Sequence, residues 1–222
     1  MDKLFFALFT IVYIGLLVWG LKGISTKAFK KWTSVLFVVV GALIYDNFIL
    51  AIGDWIGEGE LLKNLNAARF WFHAFITPLL VIFSIGTLRE SGVAWVKKCW
   101  VTIIALLYMI AAIVMEVISV TADLQLKVDK AYGVVSYSSA EGPNGPPIMI
   151  LMITLAMLVV SAILWKKTGW YVFFIGVVIM TIGSAVPLEI ESNAITNLFE
   201  LILLTSLMWT KRKLLKDELT VN

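Results

Sequence analysis

Tyr45, Asp46 and Asn47 stand together in the stretch Gly41-Ala-Leu-Ile-Tyr-Asp-Asn-Phe-Ile-Leu-Ala-Ile-Gly-Asp54, which is otherwise fit only for lipid or a protein core. A carboxylate in hydrocarbon costs on the order of several kcal/mol, so such a group turns toward a bundle interior or a wet cavity and finds a partner there. Asp46 is therefore the expected centre of any site. His73, Glu116 and Glu200 interrupt other apolar runs in the same way. Their spacing gives each a helical face: Asn193, Asn197 and Glu200 follow i, i+4, i+7, Arg69, His73 and Thr77 follow i, i+4, i+8 just before Pro78, and Tyr108, Ala112 and Glu116 form a third stripe.

Carboxylates in a low-dielectric pocket attract cations and can serve as acid–base groups. The sequence therefore proposes a ligand-binding set of Tyr45, Asp46, Asn47, His73, Glu116, Glu189, Asn197 and Glu200. Asp46, Glu116 and His73 are its candidates for proton transfer. An oxygen-rich set would also suit calcium, magnesium or manganese. Each residue has a plainer role. Asp46 and Asn47 can form a structural hydrogen-bonded pair, Tyr45 and Tyr108 can simply pack, His73 can sit among headgroups with Arg69, and Glu189 and Glu191 can be solvated.

The elements that must position these groups are membrane helices. The chain has 222 residues, 60% of them hydrophobic and 15% charged, where soluble domains average nearer 45–50% and roughly 25%. Apolar runs of about 20 residues are long enough to span a bilayer. Seven are expected, at 4–21, 33–52, 70–88, 101–120, 148–164, 171–188 and 194–209, giving an all-α seven-helix transmembrane bundle in a single domain. The first run follows only Met-Asp-Lys with no small-residue cleavage site after it, so it is expected to be retained as a helix. The fifth carries only Thr154 and Ser161 as polar residues and is expected at the periphery. The segment 121–147 is a long connection in which Leu124, Leu126 and Val128 alternate with polar residues, as on a short strand. A hairpin lying over the mouth as a lid is the expectation.

Orientation follows from the loops. Thirteen lysines and arginines fall in the connections after the first, third, fifth and seventh runs, against five on the other side. Positive charge stays cytoplasmic, so the N-terminus is expected outside, the C-terminus inside, and the protein in the plasma membrane. At 1.5 Å per residue, Asp46 then lies roughly 10 Å below the outer surface, with His73, Glu116 and Glu200 roughly 5, 6 and 9 Å below it. The cytoplasmic halves are expected to be almost free of charge. The nine tryptophans fall near run ends, where interfacial anchoring accounts for them.

Several chemistries are excluded. The seventh run has no lysine before Lys211, so it offers no retinal Schiff base. One histidine and one cysteine, Cys99, cannot build a His/Cys zinc centre or an internal disulfide. No nucleotide fingerprint, phosphate loop or serine-hydrolase elbow is present. A net charge of +3 spread over short loops is no footprint for nucleic acid.

Pro187-Leu-Glu-Ile-Glu191 resembles the Pro-x-Glu-Glu element of the membrane lycopene cyclases of the heterodimeric type. Tyr45-Asp46-Asn47 followed by Gly53-Asp54-Trp55 is similar to an earlier segment of those proteins. The similarity covers about thirty residues. The chain has Ile190 where that family has an acid, and Thr77-Pro78-Leu79-Leu80 lacks the acids of a first repeat. The resemblance implies chemistry in which carboxylates beside aromatics protonate an alkene and stabilise a carbocation.

Three functions remain open from sequence. An outward-opening acidic cavity could bind or transport a cation, a proton or an amine-bearing solute. An intramembrane acid–base enzyme could act on a lipid or isoprenoid of the outer leaflet. A structural or assembly subunit could bury its acids against a partner. Lipid and a small cationic or lipidic ligand are the expected partners. The topology has a direct check: on intact cells, a membrane-impermeant thiol reagent should spare Cys99 and label a Ser138→Cys variant. Labelling in the reverse pattern would invert the orientation.

Overall fold

The computed structural model describes residues 2–22, 24–140, 147–185, 192 and 194–221. It is mostly helical, at 81%. The helices are α1 (Asp2–Leu21), the single turn α2 (Thr26–Phe29), α3 (Val35–Ile56), α4 (Glu60–Ile76), α5 (Leu79–Glu90), α6 (Cys99–Glu116), α7 (Ile148–Thr168), α8 (Val172–Ala185) and α9 (Ala194–Val221). Among the described residues, five helical stretches are long and apolar enough to cross a membrane: Asp2–Leu21, Trp32–Ile56, Glu60–Glu90, Cys99–Thr121 and Ile148–Thr168. The reason is local: leucine, isoleucine, valine and phenylalanine fill these runs, and in lipid only a helix or a closed barrel satisfies every backbone group.

Helix ends follow their punctuation. The N–H of Ala28 bonds Ser25 Oγ at 3.2 Å, capping α2. Gly169, at φ 74°, closes α7 with its N–H on Trp165 O. Pro78 splits the run expected at 70–88 into α4 and α5, because proline has no N–H to donate and its ring crowds the preceding turn. The upstream half is longer than expected and begins at Glu60. α6 widens into a π turn at Val117–Thr121, immediately after Glu116. α8 is described over 14 residues, and positions 186–188 of the run expected there lie outside the described residues. α9 extends 28 residues, well past the 209 expected.

α3, α4, α6, α7, α8 and α9 each pack against the next, and α9 returns to α3. α1 lies outside this ring against α3 and α9, while α5 packs against α3, α6, α7 and α9 inside it. α7 is therefore a wall of the interior and not peripheral; its Met149, Ile153, Met157 and Leu164 are buried. α8 and α9 pack closely at Gly176, where a Cβ would fall 2.0 Å from Ser206 Oγ. Small residues at such crossings are how membrane helices gain packing without a hydrophobic drive.

The long connection contains a two-stranded antiparallel hairpin, β1 (Leu126–Ala131) and β2 (Val134–Ser139). Tyr132 and Gly133 turn it with φ of 51° and 79°, the pair of positive values that a two-residue type I′ loop demands. β2 lies on α3 and α4. Tyr137 packs with Ile49 and Leu62, and its hydroxyl accepts a bond from Gly59 N–H at 3.1 Å. Lys130 pairs with Glu58. At Gly53 an added Cβ would lie 2.0 Å from Val135 O, so α3 has no room there for any side chain. Gly53→Ala should therefore cost about 1–3 kcal/mol through overpacking. Gly41→Ala, which meets nothing within 4 Å, should be neutral or stabilising. Thermal unfolding of both variants in detergent checks the pair.

Candidate functional site

A cavity of about 400 Å³ opens inside the ring. Asp46 reaches it from α3, Arg69 and His73 from α4, Glu116 from α6, and Asn197 and Glu200 from α9. Thr77 at the Pro78 break and Thr154 of α7 complete the polar lining. The rest is apolar: Val39 and Leu43 of α3, Leu80 of α5, Ile153 and Met157 of α7, Met180 of α8, and Leu203 and Leu204 of α9. Along α9 the wall turns from Asn197 and Glu200 to Leu203 and Leu204, and along α3 from Asp46 back to Leu43 and Val39. The cavity is therefore polar toward the hairpin end and apolar toward the other.

Three polar groupings occupy the wall. In the first, Arg69 Nε donates to Asp46 Oδ1 at 2.8 Å and Arg69 Nη1 to Asn66 Oδ1 at 2.7 Å. Asn66 is fixed in turn by its own bond to Leu62 O. The pair is mostly buried, with the side chains 16% and 25% exposed for Arg69 and Asp46, a level at which Coulomb attraction is screened far less than at a surface. In the second, Glu116 lies within electrostatic range of His73. The imidazole is steadied by a 3.3 Å contact between its Nδ1 and Thr77 Oγ1. The third is Glu200, which has neither an ion-pair nor a hydrogen-bond partner among the described residues. Asn197, one helical turn away, donates to Asn47 Oδ1 at 3.0 Å.

The residues expected from sequence divide accordingly. Asp46, His73, Glu116, Asn197 and Glu200 share the cavity. Tyr45 and Asn47 stand behind its wall. Tyr45 bonds Leu65 O at 3.0 Å and packs edge-on against Phe72, and the fully buried Asn47 ties α3 to α9 through Asn197. Glu189, with Glu191 and Asn193, lies outside the described residues. So do all five residues of Pro187–Glu191, the stretch that carries the resemblance to the cyclases.

Two contributors were not on the sequence list. Arg69 is the cation that Asp46 requires, and its i, i+4 relation to His73 was the available signal. Tyr13 of α1 is fully buried, with a hydroxyl unpartnered among the described residues and within electrostatic range of Glu200 and Asp46.

Known proteins add no template. No family model, no curated protein and no solved structure matches this chain.

The acids are spread over separate walls. Among the described residues, no three His, Cys, Asp or Glu side chains gather closely enough to hold a metal ion.

The Arg69–Asp46 pair generates a stability prediction. Removing one partner of a buried pair strands the other charge, a loss of about 3–5 kcal/mol when burial is complete. Arg69→Met should fall near the lower end of that range, given the partial exposure. Asp46→Leu combined with Arg69→Met should be more stable than Arg69→Met alone. Thermal unfolding of the single and double variants measures the coupling, and additive losses would mean that the pair contributes little.

Proposed function

We propose that this is a seven-crossing membrane protein, N-terminus outside, whose outward-opening cavity binds an amphipathic molecule with a cationic, amine-type head. The head lies among Glu200, Glu116 and Asn197, and the apolar body lies along Leu43, Leu80, Met157 and Leu204. Support comes above all from one observation, the convergence of acids from three helices at one end of a single cavity whose other end is hydrocarbon. Arg69 neutralises Asp46 and His73 faces Glu116, which leaves Glu200 as the acid free to take a ligand cation. A volume of about 400 Å³ lies in the range of small-molecule pockets of about 300–1,000 Å³.

Basic residues at the end away from the hairpin support the orientation, since positive charge stays cytoplasmic. The plasma membrane is the membrane proposed for this protein.

A second reading is favoured by the Glu116–His73 grouping. Two proton carriers facing one another beside an apolar wall could act as acid and base on an outer-leaflet lipid or isoprenoid. The two readings separate experimentally. A dodecylamine probe should raise the melting temperature of the purified protein by mass action, and dodecanol should do so far less. Glu200→Gln should weaken amine binding at least tenfold, leaving the parent melting temperature unchanged or higher. Equal responses to amine and alcohol, or full amine affinity in Glu200→Gln, would overturn the proposal. Under the enzymatic reading, Glu116→Gln and His73→Gln would abolish turnover of a lipid substrate while retaining its binding.

A further inference from the structure

A second buried polar cluster lies at the opposite end from the hairpin, where the sequence leads one to expect almost no buried charge. Lys211 of α9 is fully buried. Its Nζ donates to Thr33 Oγ1 at 2.8 Å and Ser34 Oγ at 3.0 Å, both in the 3₁₀ turn that leads into α3. Thr33 Oγ1 donates onward to Glu90 Oε1 at 2.7 Å, at the last residue of α5. Lys31 lies 3.9 Å from Glu90 Oε2 and also pairs with Glu218 of α9; the Lys31 hydrogen bond holds the Glu218 carboxyl below its usual range. Beside Glu90, the Arg89 guanidinium lies 3.8 Å from the centre of the Trp32 ring and bonds Thr102 of α6.

This cluster is incompletely satisfied. Glu90 Oε2 and Arg89 Nε are buried without a hydrogen-bond partner among the described residues. A half-satisfied buried polar network is a poor source of stability. It is a good source of bistability, because water that entered on opening would satisfy the same atoms. The other end of α5 is a break. Pro78 separates α5 from α4, and Thr77 there lines the cavity and touches His73. Leu80, two residues into α5, lines the cavity's apolar side. Between break and cluster, α5 buries the small residues Ser84, Gly86 and Thr87. Gly86 lies so close to the 3₁₀ turn that an added Cβ would come within 2.9 Å of Trp32 Cβ.

We infer that α5 is a hinged inner gate, turning at Thr77–Pro78 and latched at its cytoplasmic end by the Lys211–Thr33–Glu90 network, through which the cavity opens to the cytoplasmic side. The inference rests on the outward-opening binding reading above and turns it into alternating access. In the structure the latch is closed, with the Lys211–Thr33–Glu90 bonds all made. A ligand that moves His73 and Thr77 acts on the hinge directly, and the latch sets the cost of opening. Polar and charged groups at the latch come from the α2–α3 connection, α5, α9 and, through Thr102, α6, so parting α5 from the other three exposes all of them to water together.

The test uses the full-length protein with Cys99→Ser and a reporter Leu80→Cys, in inside-out membrane vesicles. An impermeant maleimide is applied from the cytoplasmic face. With the latch intact, the reporter should be protected. Glu90→Gln and Lys211→Met should each raise its labelling rate at least fivefold. Thr33→Val, which removes the bridging hydroxyl and changes the shape little, should do the same and covers the case in which a charge variant fails to fold. Dodecylamine affinity is measured on every variant in parallel. A reporter that stays protected in latch variants with parental amine affinity would overturn the gate. If the amine fails to bind even the parent while labelling still follows the latch, the gate stands and the proposed ligand falls.

Discussion

An ionised group cannot be left alone in hydrocarbon, and the structure is built around meeting that constraint twice. Near the hairpin the solution is the ion pair between Arg69 and Asp46, which ties α4 to α3 and is braced by Asn66. At the other end it is Lys211 lodged between two hydroxyls, one of them passing its own hydrogen on to Glu90. The two differ in completeness. The first has its main donors and acceptors matched and behaves as fixed scaffold. The second leaves Glu90 Oε2 and Arg89 Nε unmet among the described residues.

Pro78 connects these two solutions. A continuous helix from Glu60 to Glu90 would be about 47 Å long at 1.5 Å per residue, too long for one crossing without a strong tilt. The break lets α4 stay in the ring beside α3 and α6 while α5 packs inside it. It also places Thr77 where its hydroxyl can steady His73. The π turn after Glu116 acts comparably on α6: it loosens the helix beside an acid of the cavity and re-aims the chain toward the hairpin.

Much of the site was legible in the sequence because charge inside an apolar run has few innocent explanations. Asp46, His73, Glu116 and Glu200 were found on that ground, and Asn197 by its spacing from Glu200. What was missed has physical causes. Arg69 lies at the edge of a run, where a cation reads as an interfacial anchor, yet α4 starts ten residues earlier than the hydropathy suggests and carries it inside. Lys211 follows Trp209 and so reads as a topological charge, yet α9 continues and buries it. α7 was expected at the periphery because it has few polar residues, but a cavity with a hydrocarbon side needs apolar walls, and Ile153 and Met157 supply one. Tyr45 and Asn47 share the local pattern of Asp46, but on a helix successive residues point about 100° apart, so only the aspartate faces the space.

Asp2 marks where the start of α1 meets the hairpin turn and the residue that leads toward α9. Its N–H bonds Tyr132 O at the hairpin turn at 3.2 Å, and its carboxylate accepts from Ser192 Oγ, 190 residues away, at 2.8 Å. Non-local contacts of this kind slow folding, and this one needs both segments present. The hairpin end, where the acids of the cavity gather, can therefore be completed only after α9 has been synthesised. Until then the nascent chain holds a partly built cavity whose Glu200 wall does not yet exist. A protein truncated before Ser192 would lose more than its last helix, because the Asp2 carboxylate at the start of α1 would lose the hydroxyl that bonds it.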